Sequence, residues 1–317
     1  MAASGPPGRW QASDGFAIVV VLLALALLSL IAATFSIAVR THLRDVAAAT
    51  ASARAEAHAD GGVSVVLADL LAVRENRTLS RRFPLDGSEV VCAPRSGVRL
   101  FIRVQDEAGR VDLNTASEAL LLALLRGYGV ESDAASRIAD RLIDNRDRDS
   151  DRRPNGAERA DYEAAGVPGP KNAPLDAIDE LAQVLGLDAA LVDRLRPAVT
   201  VHSGLAGVDP RVMPAERAAA IARGFAISAA SLPEVGRPGD RGGLPSRLVD
   251  LSPQQVFAIR VVAVTDDGAR FARDAVVDLG PRRAQQHVFR RWSRSNVQAT
   301  EPAANAGAIL SAPASPC

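Results

Sequence analysis

"GFAIVVVLLALALLSLIAATFSIAV", Gly15–Val39, contains no charged residue. As a helix, Phe16–Val39 is roughly 36 Å long at 1.5 Å per residue, enough to cross a bilayer core of about 30 Å. A secretory signal has a shorter apolar region, about 7–15 residues, closed by a small-residue cleavage site. Here the run leads directly into a polar, helix-favouring pattern, "RTHLRDVAAATASARAEAHAD" at 40–60. The reading is therefore a retained single span. Flanking charge does not orient it, because only Arg9 precedes the span while Arg40 and Arg44 follow it.

Beyond the span, the Ala-rich run favours helix to about Asp60. Gly61-Gly62 is expected to kink or interrupt it before "VSVVLADLLAV" resumes the helical pattern. "GVRLFIRVQDEAG" then alternates. Val98, Leu100, Ile102 and Val104 share one face, and Arg99, Phe101, Arg103 and Gln105 the other, which reads as a half-buried strand. Far downstream, "QQVFAIRVVAVTDDGARFARDAVVDLG" reads as two strands about Asp267-Gly268, a hairpin dipeptide, and "QHVFRRW" as a third. A small antiparallel sheet thus has its strands separated by a long segment of another kind.

That segment, 111–198, reads as helices. "NTASEALLLALLRGYG" places Thr115 and Glu118 at capping-box spacing and Gly127 as a stop. "SDAASRIADRLIDNR" carries Ala135, Ile138 and Leu142 at helical spacing from a start at Ser132 or Asp133. "PLDAIDELAQVLGLDAALVDRLRP" repeats the theme, with Asp176 as cap, a helix stopped at Gly186 and a second ended by Pro197.

Composition excludes several classes. Lys+Arg and Asp+Glu both total 37, so no net charge draws the chain to nucleic acid or an anionic surface. No His-Glu-x-x-His, nucleophile elbow or Walker loop is present, and His42, His58, His202 and His287 are scattered; the chain does not read as an enzyme. Cys92 and Cys317 do not make a disulfide framework. A bridge between them needs an oxidising compartment, and the position of Cys317 in an Ala-, Pro- and Ser-rich tail (296–317) that reads as disordered weighs against it.

In "DNRDRDSDRRPNGAE", Asp147, Asp149 and Asp151 fall at positions 1, 3 and 5 of a loop whose position 12 is Glu158. This is the carboxylate spacing of an EF-hand calcium loop. Position 6, where that loop needs glycine, is Arg152. Hard oxygen donors favour Ca²⁺ over a transition metal. A solvated run of Asp–Arg pairs explains the spacing equally well. Asp144 and Asp161 are further candidate ligands.

Three features resemble a known family. A polar leader ending in Gly15 before an apolar helix starting at Phe16 is similar to a type IV prepilin signal, in which a membrane peptidase cuts after the glycine and the new terminus is methylated. Asp14 stands where such leaders carry Lys or Arg, and Val20 where most carry Glu. "DEAGRVDLNTAS" (106–117), "DNRDRDSD", "NGAE" and "DY" (144–162), "NAPLDAIDELAQVLGL" (172–187) and "LRPAVTVHSG" (195–204) resemble, in order and spacing, the K class of type II secretion minor pseudopilins. Val20 in place of Glu fits that class.

The resemblance implies an α+β fold: a pilin-like N-terminal membrane-spanning helix packed on a small antiparallel sheet, with a large inserted all-α domain. The implied division is a leader at 1–15, a helix at 16–75 (spanning at 16–39), a pilin-like domain at 76–110 and 199–295, the insertion at 111–198 and a tail at 296–317. It implies a single-pass inner-membrane subunit at the tip of a periplasmic pseudopilus, which supports initiation and protein export. Its implied partners are the I- and J-class minor pseudopilins and the prepilin peptidase. It favours calcium as the cofactor of the aspartate loop.

A second reading comes from "LRGYGVESDAASRI", a Gly-x-Gly turn between helices that resembles the helix-hairpin-helix of membrane-anchored competence DNA receptors. There, helix N-terminal N–H groups hold phosphate. Residues 111–198 hold 11 Lys+Arg against 17 Asp+Glu, a net charge of −6. DNA binding needs a basic surface, so no nucleic-acid partner is expected.

Overall fold

The structure, a computed structural model, describes residues 14–94, 97–225, 244–280, 286–297 and 315–317, with side chains from Ile18 onward. Most of the expected leader (1–13), parts of the 205–232 region and of the tail (226–232 and 298–314) lie outside the described residues. Gly15 and Phe16 belong to the first turns of helix α1 (Asp14–Glu75). The chain divides into two compact units, Met1–Arg54 and Ala55–Cys317. In the first, α1 leaves its large apolar side chains exposed, from Ile18 at 61% to Phe35 at 70%. By length and composition this stretch is able to cross a membrane.

In the second unit, α1 continues and the expected break at Gly61-Gly62 does not occur. Gly62 has a packing reason instead. A Cβ there would stand 2.8 Å from Val261 Cγ1 and 3.2 Å from Leu100 Cδ1, so its absence lets the helix lie close on the sheet. Ala55, Ala59, Val63, Val66 and Leu70 form the helix's buried stripe, at the three- and four-residue steps of one helical face.

The sheet contains β1 (Asp86–Ala93), β2 (Val98–Asp106), β5 (Val256–Thr265), β6 (Arg270–Asp278), β7 (Val288–Ser295) and β8 (Ser315–Pro316). Their order is β7-β6-β5-β2-β1-β8, antiparallel except for the parallel β1–β8 pair. The turn at Asp267-Gly268 is as expected, with Gly268 at φ +84. β2 is not half-buried. It is a central strand, with Leu100, Ile102 and Val104 packed under α1 and Phe101 buried on the opposite face with Val262, Val264 and Ala272. Central position removes water from both faces, which alternation alone cannot reveal.

The last three residues correct the reading of the tail. Ser315 and Pro316 pair with Cys92 and Ala93, and Cys92 and Cys317 form a disulfide.

Between β2 and β5 the chain makes its helical excursion. The two-residue strands β3 (Val111–Asp112) and β4 (Val199–Thr200) lie side by side in parallel. Helices α2 (Glu118–Gly127), α3 (Ser132–Arg146), α4 (Arg159–Ala164) and α5 (Ala189–Leu195) follow β3. Ser117, not Thr115, caps α2, accepting from the Leu120 N–H at 3.3 Å; the Thr115 hydroxyl donates instead to the Leu205 carbonyl. Ile178–Gln183 is 3-10 rather than α-helical.

The helical body does not stop at 198. Helix α6 (Ala215–Gly224) packs on α2, and Met213, Ile221, Leu244 and Leu248 share its core. The contact is backbone to backbone. A Cβ on Gly127 would stand 2.1 Å from the Ala220 carbonyl oxygen, and one on Gly224 1.9 Å from that of Ala123. Gly127 therefore serves helix contact as well as helix ending. Arg217, buried on α6, donates to the Gly109 carbonyl at 3.1 Å and ties this body to the 3-10 turn Glu107–Gly109 that follows β2; burial pushes its guanidinium down to about 10.

Candidate metal centre

Two buried carboxylates near the end of α3 meet opposite fates. Asp140 is fully engaged: Arg153 Nε donates to Oδ1 at 2.7 Å, and Asn155 donates from its backbone and side chain to Oδ2 at 3.0 and 3.1 Å. Burial alone would raise Asp140, but these donors outweigh it and hold the carboxyl below its ordinary range. One turn on, Asp144 has no exposed surface. Its Oδ2 accepts the Arg153 N–H at 3.3 Å, the backbone N–H of Ala157 also faces the carboxylate, and its Oδ1 has no partner. Burial is the main cause that pushes it up to about 6, and the charges of Glu158 and Asp147 add to it.

Gly156 makes room for this carboxylate. A Cβ on Gly156 would stand 1.8 Å from Asp144 Oδ2.

The unpartnered oxygen is one of a set. Among the described residues, Asp144 Oδ1, Asp147 Oδ1, Glu158 Oε1 and Asn172 Oδ1 are all buried without a hydrogen-bond partner. Leaving such a group unpaired costs about 1–3 kcal/mol, more when charged. Burial raises Asp147 and Glu158 as well; neighbouring carboxylates reinforce both shifts, and a side-chain hydrogen bond from Asn172 opposes that of Glu158. Asn172 joins the set from outside the run. It takes a positive φ of 47, and its Nδ2 donates to the Asp149 carbonyl at 2.9 Å.

The residues at the spacing 147, 149, 151, 158 differ in their surroundings. Asp149 Oδ1 accepts the Asp151 N–H at 2.9 Å, and both residues are exposed. Asp161 Oδ2 accepts the Glu158 N–H at 3.0 Å and caps α4. The structure associates Asp144, Asp147 and Glu158 of the six candidates and adds Asn172. Among the described residues, no three His, Cys, Asp or Glu side chains stand at metal-holding spacing. Like-charged carboxylates repel, which opposes their convergence. Chemically, this is a set of hard oxygen donors with unsatisfied lone pairs, the donor type that suits a hard divalent cation.

The Gly-x-Gly turn has different chemistry. At the start of α3, where phosphate would sit on free N–H groups, Glu131 Oε2 accepts from Asp133 and Ala134 at 2.9 and 3.3 Å. A carboxylate fills the anion position. The "DLNTA" stretch is likewise committed to the fold. Asn114 exchanges two hydrogen bonds with the Leu175 backbone, and Arg146 donates to the Leu113 and Ala116 carbonyls.

A long N-terminal helix on an antiparallel sheet, with a helical body inserted between adjacent strands, defines the class: a pilin-like subunit with an inserted α-domain. Residues 103–204 match the family model for type II secretion system (T2SS) protein K. A chain of the crystal structure of the GspK–GspI–GspJ complex from the type 2 secretion system of enterotoxigenic Escherichia coli is similar in fold. It is 18% identical, with a TM-score of 0.57 over 77% of this chain and 96% of that one. No curated protein matches. The 103–204 stretch is thus similar to type II secretion protein K, and the chain shares its fold with a chain of the GspK–GspI–GspJ complex.

Proposed function

We propose that this chain is the tip subunit of a type II secretion pseudopilus, supporting its initiation and the export of proteins across the outer membrane. The observation that carries the reading is the helical body between β2 and β5. Such a bulk obstructs packing along a helical stack and is harmless at its end. The span from Phe16 to Val39 has no carboxylate to offer a neighbour's N-terminal amine, which suits the first position. The exposed apolar side chains of α1 support an inner-membrane anchor, and the disulfide supports a periplasmic, oxidising location for the following domain. Prepilin peptidase would cleave between Gly15 and Phe16, and methylation of the new terminus would follow. The role is assembly rather than catalysis.

The partners in this reading are the I- and J-class minor pseudopilins. The similar chain comes from a complex with that composition. Calcium is the proposed cofactor. Asp144, Asp147 and Glu158 would hold it through carboxylate oxygens and Asn172 through its amide oxygen, with Asp149 and Asp151 as accessible further donors. Bound calcium supplies positive charge to a buried anionic cluster, and the residues supply desolvated oxygens. The test is co-purification of the tagged full chain with I- and J-class subunits from membranes. A stable ternary complex is expected; recovery of the chain alone from a strain expressing all three overturns the assignment.

A further inference from the structure

Segment Ser315–Cys317 is fixed to β1 by three separate chemistries. Ser315 and Pro316 pair in parallel with Cys92 and Ala93. Cys317 is disulfide-bonded to Cys92, with the Cα atoms 5.0 Å apart across a sequence separation of 225. Arg82 Nη1 donates to the Cys317 carbonyl oxygen. Cys92 is 3% exposed, and Cys317 packs against the same core. The insertion and the aspartate loop use none of these contacts.

Without β8, β1 would be the edge of the sheet. An edge presents unpaired N–H and C=O groups, a template for another strand. The strand that covers it is two residues long, one of them a proline that has no N–H to donate. Two weak pairings hold a strand poorly, so the covalent bond maintains the closure.

We propose that Cys92–Cys317 is a redox latch on a strand-accepting edge. Closed, the latch keeps the edge filled by the chain's own segment. Opened, it leaves a seat that takes the same segment from a second copy of this chain. The occupant follows from the seat, since the backbone register, Arg82 and Cys92 all fit residues 315–317. The chain from Val297 to Ser315 can extend roughly 60 Å at about 3.3–3.6 Å per residue, which allows exchange between copies. Opening by a thiol couple such as glutathione balances: two glutathione thiols each give up a proton and an electron and join as the disulfide, while the Cys92–Cys317 bond breaks to two thiols; relinking by glutathione disulfide is the reverse.

Two full-length variants in detergent test this. Cys92→Ser retains only Cys317, and Cys317→Ser only Cys92, so neither can close on itself. They are mixed in equal amounts in glutathione redox buffer and separated without reductant. The expected product is the mixed Cys92–Cys317 dimer, its ratio to the two homodimers together about tenfold above the statistical one-to-one through the seat's effective concentration, falling back toward one-to-one when Arg82→Ala is added to the Cys317→Ser chain. A statistical mixture of disulfides, or no mixed dimer, overturns the exchange. In the wild-type chain, dithiothreitol is expected to speed amide exchange at Val91–Ala93. Unchanged exchange there overturns the latch.

Discussion

The Asp144 carboxylate rests on Gly156 so closely that one methyl group cannot be added between them: a Cβ would lie 1.8 Å from Oδ2. Gly156→Ala must therefore displace Asp144 or the backbone. The expected cost is about 2–4 kcal/mol, in the range of overpacked cores and broken buried networks. Denaturant unfolding of the chain in detergent measures it. Gly166→Ala, with open space around its Cβ position but a φ of +70, serves as a backbone-strain control and is expected to cost about 1 kcal/mol.

Asp144 also sets a pH dependence with a definite sign. Its folded value is raised to about 6 from 3.8, so between those values the folded state holds the extra proton. Stability without calcium should then fall as pH rises from about 4 to 6, by up to roughly 3 kcal/mol from this group. Calcium binds the ionised form, so its effect should grow over the same interval. Thermal midpoints in chelator and in calcium, taken at several pH values, separate the two trends. Parallel curves would remove Asp144 from the site.

The donor set can be told from the sequence spacing. Asp144→Asn should raise the thermal midpoint at pH 7 in chelator, by removing a buried charge, and abolish the rise produced by calcium. Asn172→Ala should weaken that rise, while Asp151→Ala, at an exposed position, should leave most of it. If Asp151→Ala abolishes the rise and Asn172→Ala does not, the 1-3-5-12 arrangement holds instead. Scanning calorimetry with and without calcium decides.

Arg273 joins α1 to the sheet. Its Nε donates to Asp60 at 2.6 Å and its Nη2 to Glu56 at 2.6 Å. Its guanidinium also lies 4.8 Å from the Phe271 ring centroid and 5.0 Å from that of Trp292. Both acids are substantially exposed, which screens the ion pairs. Arg273→Ala is expected to cost roughly 1–2 kcal/mol, chiefly through the lost stacking and packing. Amide exchange should quicken at residues 55–62.

Gly127→Ala and Gly224→Ala each place a methyl group against a backbone carbonyl of the opposite helix. Backbone yields less readily than a side chain, so each is expected to destabilise the helical body by about 2–4 kcal/mol. Circular dichroism during denaturant titration should show the loss.

Legibility followed the range of the interactions. The β5–β6 hairpin was plain because its turn dipeptide and two-residue period lie within one short stretch. The helices α2 and α3 were plain for the same reason. Asn172 was hidden because its role depends on a positive φ and on a loop more than ten residues away, and it carries no charge to mark it. Helix α6 was hidden by its composition. Alanines and glycine permit close contact, but they show no apolar stripe until their partner helix is known. β8 is too short to have a pattern, and its seat is 225 residues upstream of Cys317.

The pairing of β2 with β5 also sets an order of events in time. Residues 107–255 separate the two strands. At about 5–20 residues per second, β5 emerges roughly 7–30 s after β2. During that interval α2 through α6 have all appeared, so the helical body can close while β2 still lacks its central neighbour. The sheet is completed later by strands that arrive in succession, and Cys317 reaches Cys92 only after all of them. The insertion can therefore close before the sheet that carries it is complete, and a delay in its closure would prolong the exposure of β2 to other chains.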